Sequence, residues 1–204
     1  MQLTVKDLDL NLVQSGDIFA SFGDDIISNA IQMFSNNDVA HSGIFYWGKK
    51  DLFLIEATPK GIEKRLFREV VNELDRQNKN HNCFFFKLNK ELRAKFDLIK
   101  FYKWVHKTLG VHYDYDKVIF SALDFLDELG FTHNREDDSK FFCSEYCIRT
   151  LEESGAISNI NASEITPADL SQMKIYETHK SCQFLGKQQY IKKFNYIPLN
   201  NYRR

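Results

Sequence analysis

Runs of apolar residues with strand length and strand composition dominate the first half of the chain. They are rich in β-branched and aromatic residues, which favour strands. The runs lie at 18–22, 39–47, 51–57 and 82–88. The turn-forming Gly48-Lys49-Lys50 separates the second run from the third, so we expect these two to pair as a hairpin. The following segment, 61–67, predicts a further strand or a turn.

Apolar residues at helical spacing predict the remaining elements. Helices are expected over 24–34, 68–77, 89–109, 116–129 and 138–155, with a short helix beginning near Pro167. Residues 190–199 alternate like a final strand. Hairpin strands followed by helices and a last strand predict an α+β fold. Since no repeat or low-complexity linker interrupts the pattern, we expect a single domain over residues 1–204.

The helix predicted over 138–155 carries a cysteine in its first turn. Cys143, Cys147 and Leu151 recur every four residues, which indicates a buried face. Ser139 is a candidate N-cap and Gly155 a candidate stop. A thiol in the first turn faces unpaired N–H groups and the positive end of the helix dipole, which favours the nucleophilic thiolate. The alternative is that Cys143 is a small hydrophobic core residue.

Composition and charge exclude several classes of protein. The 204 residues carry 27 Lys+Arg against 28 Asp+Glu, so no basic excess indicates nucleic-acid binding. The 4 cysteines form no C-x-x-C pair and, with the histidines, no paired ligand motif, so we expect reduced thiols and no metal site. No signal peptide and no apolar run of membrane-spanning length is visible. We therefore expect a soluble protein, cytoplasmic by default, or periplasmic or secreted if a leader has been removed.

One histidine and one glutamate stand out as partners for the thiol. His41 begins a β-rich run and has small neighbours, which leave space for a substrate. Glu56 lies on the other arm of the hairpin at a similar distance from the turn, so both should reach the same end. A carboxylate there is costly unless paired, and a partner on the second nitrogen orients an imidazole. A structural role for His41 and a solvated position for Glu56 at the strand exit remain the alternatives.

Five short motifs in this order resemble a known family. They are "HSGIFYW", "LIEATPKGI", "LGVHYDY", "FFCSEYCIRTL" and "ITPADL". Together they resemble the circularly permuted NlpC/P60 group of papain-like proteins, most nearly its YiiX-like branch. In permuted members the histidine precedes the cysteine, as it does here. The resemblance implies an antiparallel sheet packed against helices, with the nucleophile at a helix N-terminus.

The same resemblance implies roles for individual residues. Cys143 would be the nucleophile, His41 the general base and acid, and Glu56 the residue that orients the imidazole. Tyr113 would line the site and contribute to an oxyanion hole together with the backbone N–H of Cys143. Glu145 belongs to the motif, but no chemistry is assigned to it. No cofactor or metal is required.

The expected function is that of a cysteine peptidase or amidase. Such an enzyme cleaves an amide bond in a peptide or murein-type peptide through a thioester intermediate. One alternative is an acyltransferase or lipid hydrolase of the lecithin:retinol acyltransferase-like type. Another is an inactive papain-like binding module. We expect no nucleic-acid partner and no integral membrane segment.

Overall fold

The computed structural model describes eight separate ranges of the chain. Its described residues are 10–22, 39–58, 60–76, 83–113, 140–141, 143–177, 183–185 and 196–203. The helices predicted over 24–34 and 116–129 lie outside the described residues, as does most of the strand predicted over 190–199.

Eight strands lie among the described residues: β1 (Ile18–Phe22), β2 (Val39–Trp47), β3 (Leu52–Thr58), β4 (Gly61–Leu66), β5 (Cys83–Phe86), β6 (His112–Tyr113), β7 (Lys140–Phe141) and β8 (Gln183–Leu185). Six of them form an antiparallel sheet at the centre of the described fold, with strand order β4-β3-β2-β1-β5-β8. Strands β1 to β5 match the predicted apolar runs and the 61–67 segment. The short strands β6 and β7 form a separate parallel pair.

Five α-helices lie among the described residues. Two short 3-10 segments also occur in the last quarter of the chain. The predicted helices at 68–77 and after Pro167 are confirmed, and the second begins with a capping box at Thr166. The helices are α1 (Phe67–Arg76), α2 (Lys90–Lys95), α3 (Leu98–Thr108), α4 (Cys143–Glu153) and α5 (Pro167–Gln172). The late 3-10 segments are Ala162–Glu164 and Leu199–Tyr202.

The segment 89–109 forms two helices, so the prediction of one long helix was wrong. The Asp97 side chain accepts hydrogen bonds from two backbone N–H groups in the first turn of α3 and caps a new helix there. The preceding Phe96 is extended, and its ring lies directly over Gly16. Hydrophobic spacing continues across this break, so periodicity alone did not reveal it.

The two faces of the sheet pack against different helices. On one face, residues such as Ile44 and Ile55 join the larger core with α3, α4 and α5. On the other face, Phe19, Phe45 and Phe85 join a smaller core with the start of α1. Edge-to-face ring contacts within this smaller core contribute about 0.5–1.5 kcal/mol each beyond their buried area. The sheet is therefore covered on both sides.

Candidate active site

Helix α4 begins at Cys143 itself, which places the thiol at the helix N-terminus. Lys140 and Phe141 form strand β7, so the helix does not extend back to Ser139, and the prediction of Ser139 as its N-cap was wrong. The end of the helix is as predicted, because Gly155 follows it with a φ of 76°, a left-handed conformation that favours glycine.

The helix is buried more completely than its predicted single face requires. Cys143, Cys147 and Leu151 lie in the larger core as expected, yet Ser144 and Thr150 are fully buried as well. Their hydroxyl groups are satisfied by carbonyl oxygens, that of Ser144 by Ile165 and that of Thr150 within the helix. The Trp104 ring nitrogen of α3 donates to the Thr150 hydroxyl over 3.1 Å. These bonds fix the position of the helix, and with it the position of the thiol.

A β-bulge sets the position of His41 on β2. Ser21 pairs with His41, but the next residue, Phe22, pairs with Val39, so Ala40 is the extra residue. Bulges re-aim neighbouring side chains and are common beside active sites. The imidazole is 30% exposed, which leaves it open to solvent on one side.

The His41 and Glu56 side chains meet at the same end of the hairpin. The His41 Nε2 donates to Glu56 Oε2 over 2.8 Å. The other carboxylate oxygen, Oε1, accepts from Arg65 Nη1 over 3.0 Å, and Arg65 Nη2 donates to Glu73 on α1. Only 5% of the Glu56 side chain is exposed. Burial alone would raise the pKa of Glu56, but the bond and charge of His41 and the charge of Arg65 outweigh it and lower that pKa.

The imidazole also interacts with the Cys143 thiol, so the same ring contacts both Glu56 and Cys143. Since Nε2 is bonded to Glu56, Nδ1 is the ring nitrogen that remains for the thiol. Burial alone would lower the pKa of His41, but hydrogen bonds with Cys143 and Glu56 outweigh it and raise that pKa to about 10. Burial likewise opposes ionisation of Cys143, yet His41 and the backbone N–H and side chain of Ser42 lower the pKa of the thiol. These opposite shifts favour the pair of thiolate and imidazolium over the neutral pair.

In the other two described cysteines the pKa of the thiol is raised instead of lowered. Burial raises the pKa of the Cys83 thiol to about 12. Burial, reinforced by the negative charge of Cys143, raises the pKa of Cys147, whose thiol contacts the Ser42 hydroxyl at 3.9 Å. Cys182 lies outside the described residues. Among the three described cysteines, Cys143 alone has an environment that favours the thiolate.

The backbone of Tyr113 lies beside the strand that leads into α4. In the parallel pair of β6 and β7, Tyr113 is opposite Phe141, two residues before Cys143. This pairing brings Tyr113 towards the thiol although a long segment of chain separates them. The Tyr113 side chain lies outside the described part of the structure, so its predicted oxyanion role stays a prediction.

Three side chains of this arrangement were missed by the sequence reasoning: Ser42, Arg65 and Glu73. Ser42 follows His41 directly, and its contact with Cys143 depends on how α4 packs on β2. Arg65 lies opposite Leu54 on β4, which makes it a diagonal neighbour of Glu56. A hairpin register counted from the turn between Thr58 and Gly61 would have given that pairing.

The described residues form an α+β fold in which an antiparallel sheet packs against helices. The solved structure of metalloprotein yiiX from Escherichia coli O157:H7 shows the likeness: the TM-score is 0.51 at 17% identity, over 72% of this chain and 69% of that one. The chain therefore has a YiiX-like fold, as its motifs predicted. No family model and no curated protein matches the chain.

Among the residues that the structure describes, no three His, Cys, Asp or Glu side chains lie close enough together to hold a metal ion.

Within the described ranges, no helix combines the length and the apolar character that crossing a bilayer requires.

Proposed function

We propose that this protein is a cysteine hydrolase that cleaves an amide bond through a thioester on Cys143. The observation that carries the proposal is that the imidazole of His41 bonds through Nε2 to the buried Glu56 carboxylate and also interacts with the helix-terminal Cys143 thiol. A nucleophile, a base and an orienting group in this order form the arrangement on which cysteine acyl transfer depends. A peptide or murein-type peptide is the substrate class, as the YiiX-like motifs imply.

In the first half-reaction the Cys143 thiolate attacks the carbonyl carbon, and the carbonyl electron pair moves onto oxygen. When the C–N bond breaks, the leaving nitrogen takes the proton from His41 Nδ1. The products are an amine, a neutral imidazole and an acyl thioester on Cys143. Glu56 holds the ring in place while its charge changes.

In the second half-reaction His41 takes a proton from water as the water oxygen attacks the thioester carbon. The C–S bond then breaks, which releases the carboxylic acid and restores thiolate and imidazolium. Each tetrahedral intermediate carries a negative oxygen that needs hydrogen-bond donors. We assign one donor to the backbone N–H of Cys143, which has no helical partner at the first position of α4, and a second to Tyr113.

Trapping the acyl-enzyme tests the proposal. The protein is incubated with separate pools of peptides, murein fragments and phospholipids, acid-quenched and digested, and its peptides are weighed by mass spectrometry. We expect an acyl mass on the peptide that contains Cys143 from the peptide or murein pool. His41→Ala should abolish it, whereas Cys147→Ala should not, because the Cys147 thiol is held protonated by burial.

Each other outcome decides against the proposal. An acyl mass from the phospholipid pool alone would favour lipid acyl transfer or hydrolysis. No acyl mass from any pool, with a thiol that reacts with iodoacetamide no faster than free cysteine, would favour a binding module. Acylation spread over several cysteines would remove the basis for an activated thiol at Cys143.

A further inference from the structure

The Glu56 carboxylate is bonded at both oxygens, but to partners of different kinds. Oε2 accepts from the His41 ring at 2.8 Å, and Oε1 accepts from Arg65 at 3.0 Å. The guanidinium of Arg65 spans the gap to α1, where its second nitrogen donates to Glu73. The Glu73 side chain is 43% exposed, so this series of contacts runs from the buried carboxylate to the surface.

A carboxylate in such a position needs its second partner. With 5% of the side chain exposed, water cannot replace a missing bond at Oε1, and burial favours the neutral acid. A planar guanidinium fixes the direction of a carboxylate better than an ammonium group, because it offers paired donors in a rigid fork. Here Nη1 of Arg65 donates to Glu56 and Nη2 donates to Glu73.

We propose that Arg65, anchored by Glu73, is a positioning residue that keeps the Glu56 carboxylate ionised and turned towards His41. The proposal rests on the proposed function, because it assigns Arg65 to the support of the same imidazole. It also gives α1, on the face of the sheet away from α4, a part in the site. In this role Arg65 acts through Glu56, and Glu73 acts through Arg65.

The charged and titratable groups that face Glu56 come from four elements. A neighbouring carboxylate, Glu63, lies directly opposite it in the β3–β4 register and accepts a hydrogen bond from Thr58. Two thiols of α4 also interact electrostatically here: that of Cys143 with His41, and that of Cys147 with Glu56 itself. The groups are His41 on β2, Glu63 and Arg65 on β4, Glu73 on α1, and Cys143 and Cys147 on α4. Arg65 is the group among them whose positive charge does not change during the proposed reaction.

The test follows protonation of Glu56 through the ring that it contacts. In protein labelled with 15N-histidine, the Nε2 signal of His41 is assigned by its loss in His41→Ala and followed as the pH is lowered. Protonation of Glu56 removes the ionic acceptor and shifts this signal. In Arg65→Met we expect the midpoint of that shift to rise by about one pH unit or more, because a close opposite charge lowers a carboxyl pKa by about 1–3 units.

Three further variants show whether the effect belongs to the guanidinium. Arg65→Lys keeps the charge and should recover part of the wild-type midpoint. Glu73→Gln should shift the midpoint when Arg65 is present and leave it unchanged in Arg65→Met, because its effect passes through Arg65. Arg68→Met, which removes an exposed charge three residues along, should match the wild type.

A wild-type midpoint in Arg65→Met, or an equal rise in Arg68→Met, overturns the proposal. If Arg65→Met does not fold, the Glu73→Gln midpoint decides, and an unchanged value there also overturns it. This titration needs no substrate, so its failure is distinct from failure of the proposed function. Acylated Cys143 with an unshifted midpoint removes only the role of Arg65, whereas a shifted midpoint without acylation removes only the hydrolase.

Discussion

Replacing Glu56 by Gln isolates the contribution of one negative charge to the pKa of the His41 imidazole. The carbonyl of Gln can still accept the hydrogen bond from His41 Nε2, so the shape of the contact is kept while the charge is lost. The pair of thiolate and imidazolium depends on a raised pKa of His41, about 10 against an ordinary 6.5. The substitution should lower that pKa because it weakens stabilisation of the charged ring.

The size of the change follows from the bond that is replaced. A hydrogen bond to a charged group contributes about 1.5–3 kcal/mol, against about 1 kcal/mol for a neutral one. The loss of about 1–2 kcal/mol corresponds to about one pKa unit. The low exposure of Glu56 keeps solvent from screening the contact, so the full difference should be seen.

The assay is an alkaline titration of His41 by 15N NMR, with Glu63→Gln as the matched control. Glu63 lies opposite Glu56 in the strand register and carries the same charge, but it accepts from Thr58. Glu56→Gln should lower the His41 midpoint by about one unit, and Glu63→Gln should leave it near the wild-type value. Equal midpoints in wild type and Glu56→Gln, or equal shifts in both variants, would refute the reasoning.

Two further substitutions test the thiolate and the fold. Ser42→Ala should raise the acid midpoint of iodoacetamide alkylation of the helix-terminal thiol by about one pH unit, since it removes a hydroxyl bonded to the sulfur. Ser171→Ala, which removes a buried hydroxyl bonded within α5, is the control, and equal midpoints in the two variants would contradict the assignment. Gly16→Ala should destabilise the fold by about 2–4 kcal/mol in urea denaturation, because φ is 91° and a methyl group would overlap the Phe96 ring. Gly110→Ala has a similar φ of 81° but open space, so a loss as large there would show that ring overlap contributes nothing.

The apolar pattern along the chain was sufficient to predict the first five strands. It was not sufficient to predict where a helix is interrupted or begins. The stretches 44–47 and 83–86 are continuous in apolar and aromatic residues, and such composition fits the interior of a sheet covered on both faces. The break at Asp97 was missed because a side-chain cap can start a new helix without disturbing the apolar spacing. The start of α4 was misplaced for a related reason: β7 occupies the residues before Cys143, and only its pairing with β6 makes it a strand.

The contacts of the candidate site also divide into those that the sequence could predict and those that it could not. The closeness of His41 and Glu56 follows from their similar distances from one turn, so the sequence contained it. The closeness of His41 and Cys143 does not, because a hundred residues separate them, and family resemblance supplied it. Arg65 required the register of β3 and β4, and Ser42 required the packing of α4 on β2; both are products of tertiary structure.

The five groups of the site alternate in charge, and this alternation explains how the proposed chemistry is accommodated. In the proposed resting state the order is thiolate Cys143, imidazolium His41, carboxylate Glu56, guanidinium Arg65 and carboxylate Glu73, so every charge has an opposite neighbour. Acylation neutralises the first two together, because the thiolate becomes a thioester as the imidazolium gives up its proton. The net charge of the series is unchanged, and Glu56 keeps a cationic partner only because Arg65 does not titrate. The chemistry can therefore proceed without leaving a buried carboxylate uncompensated.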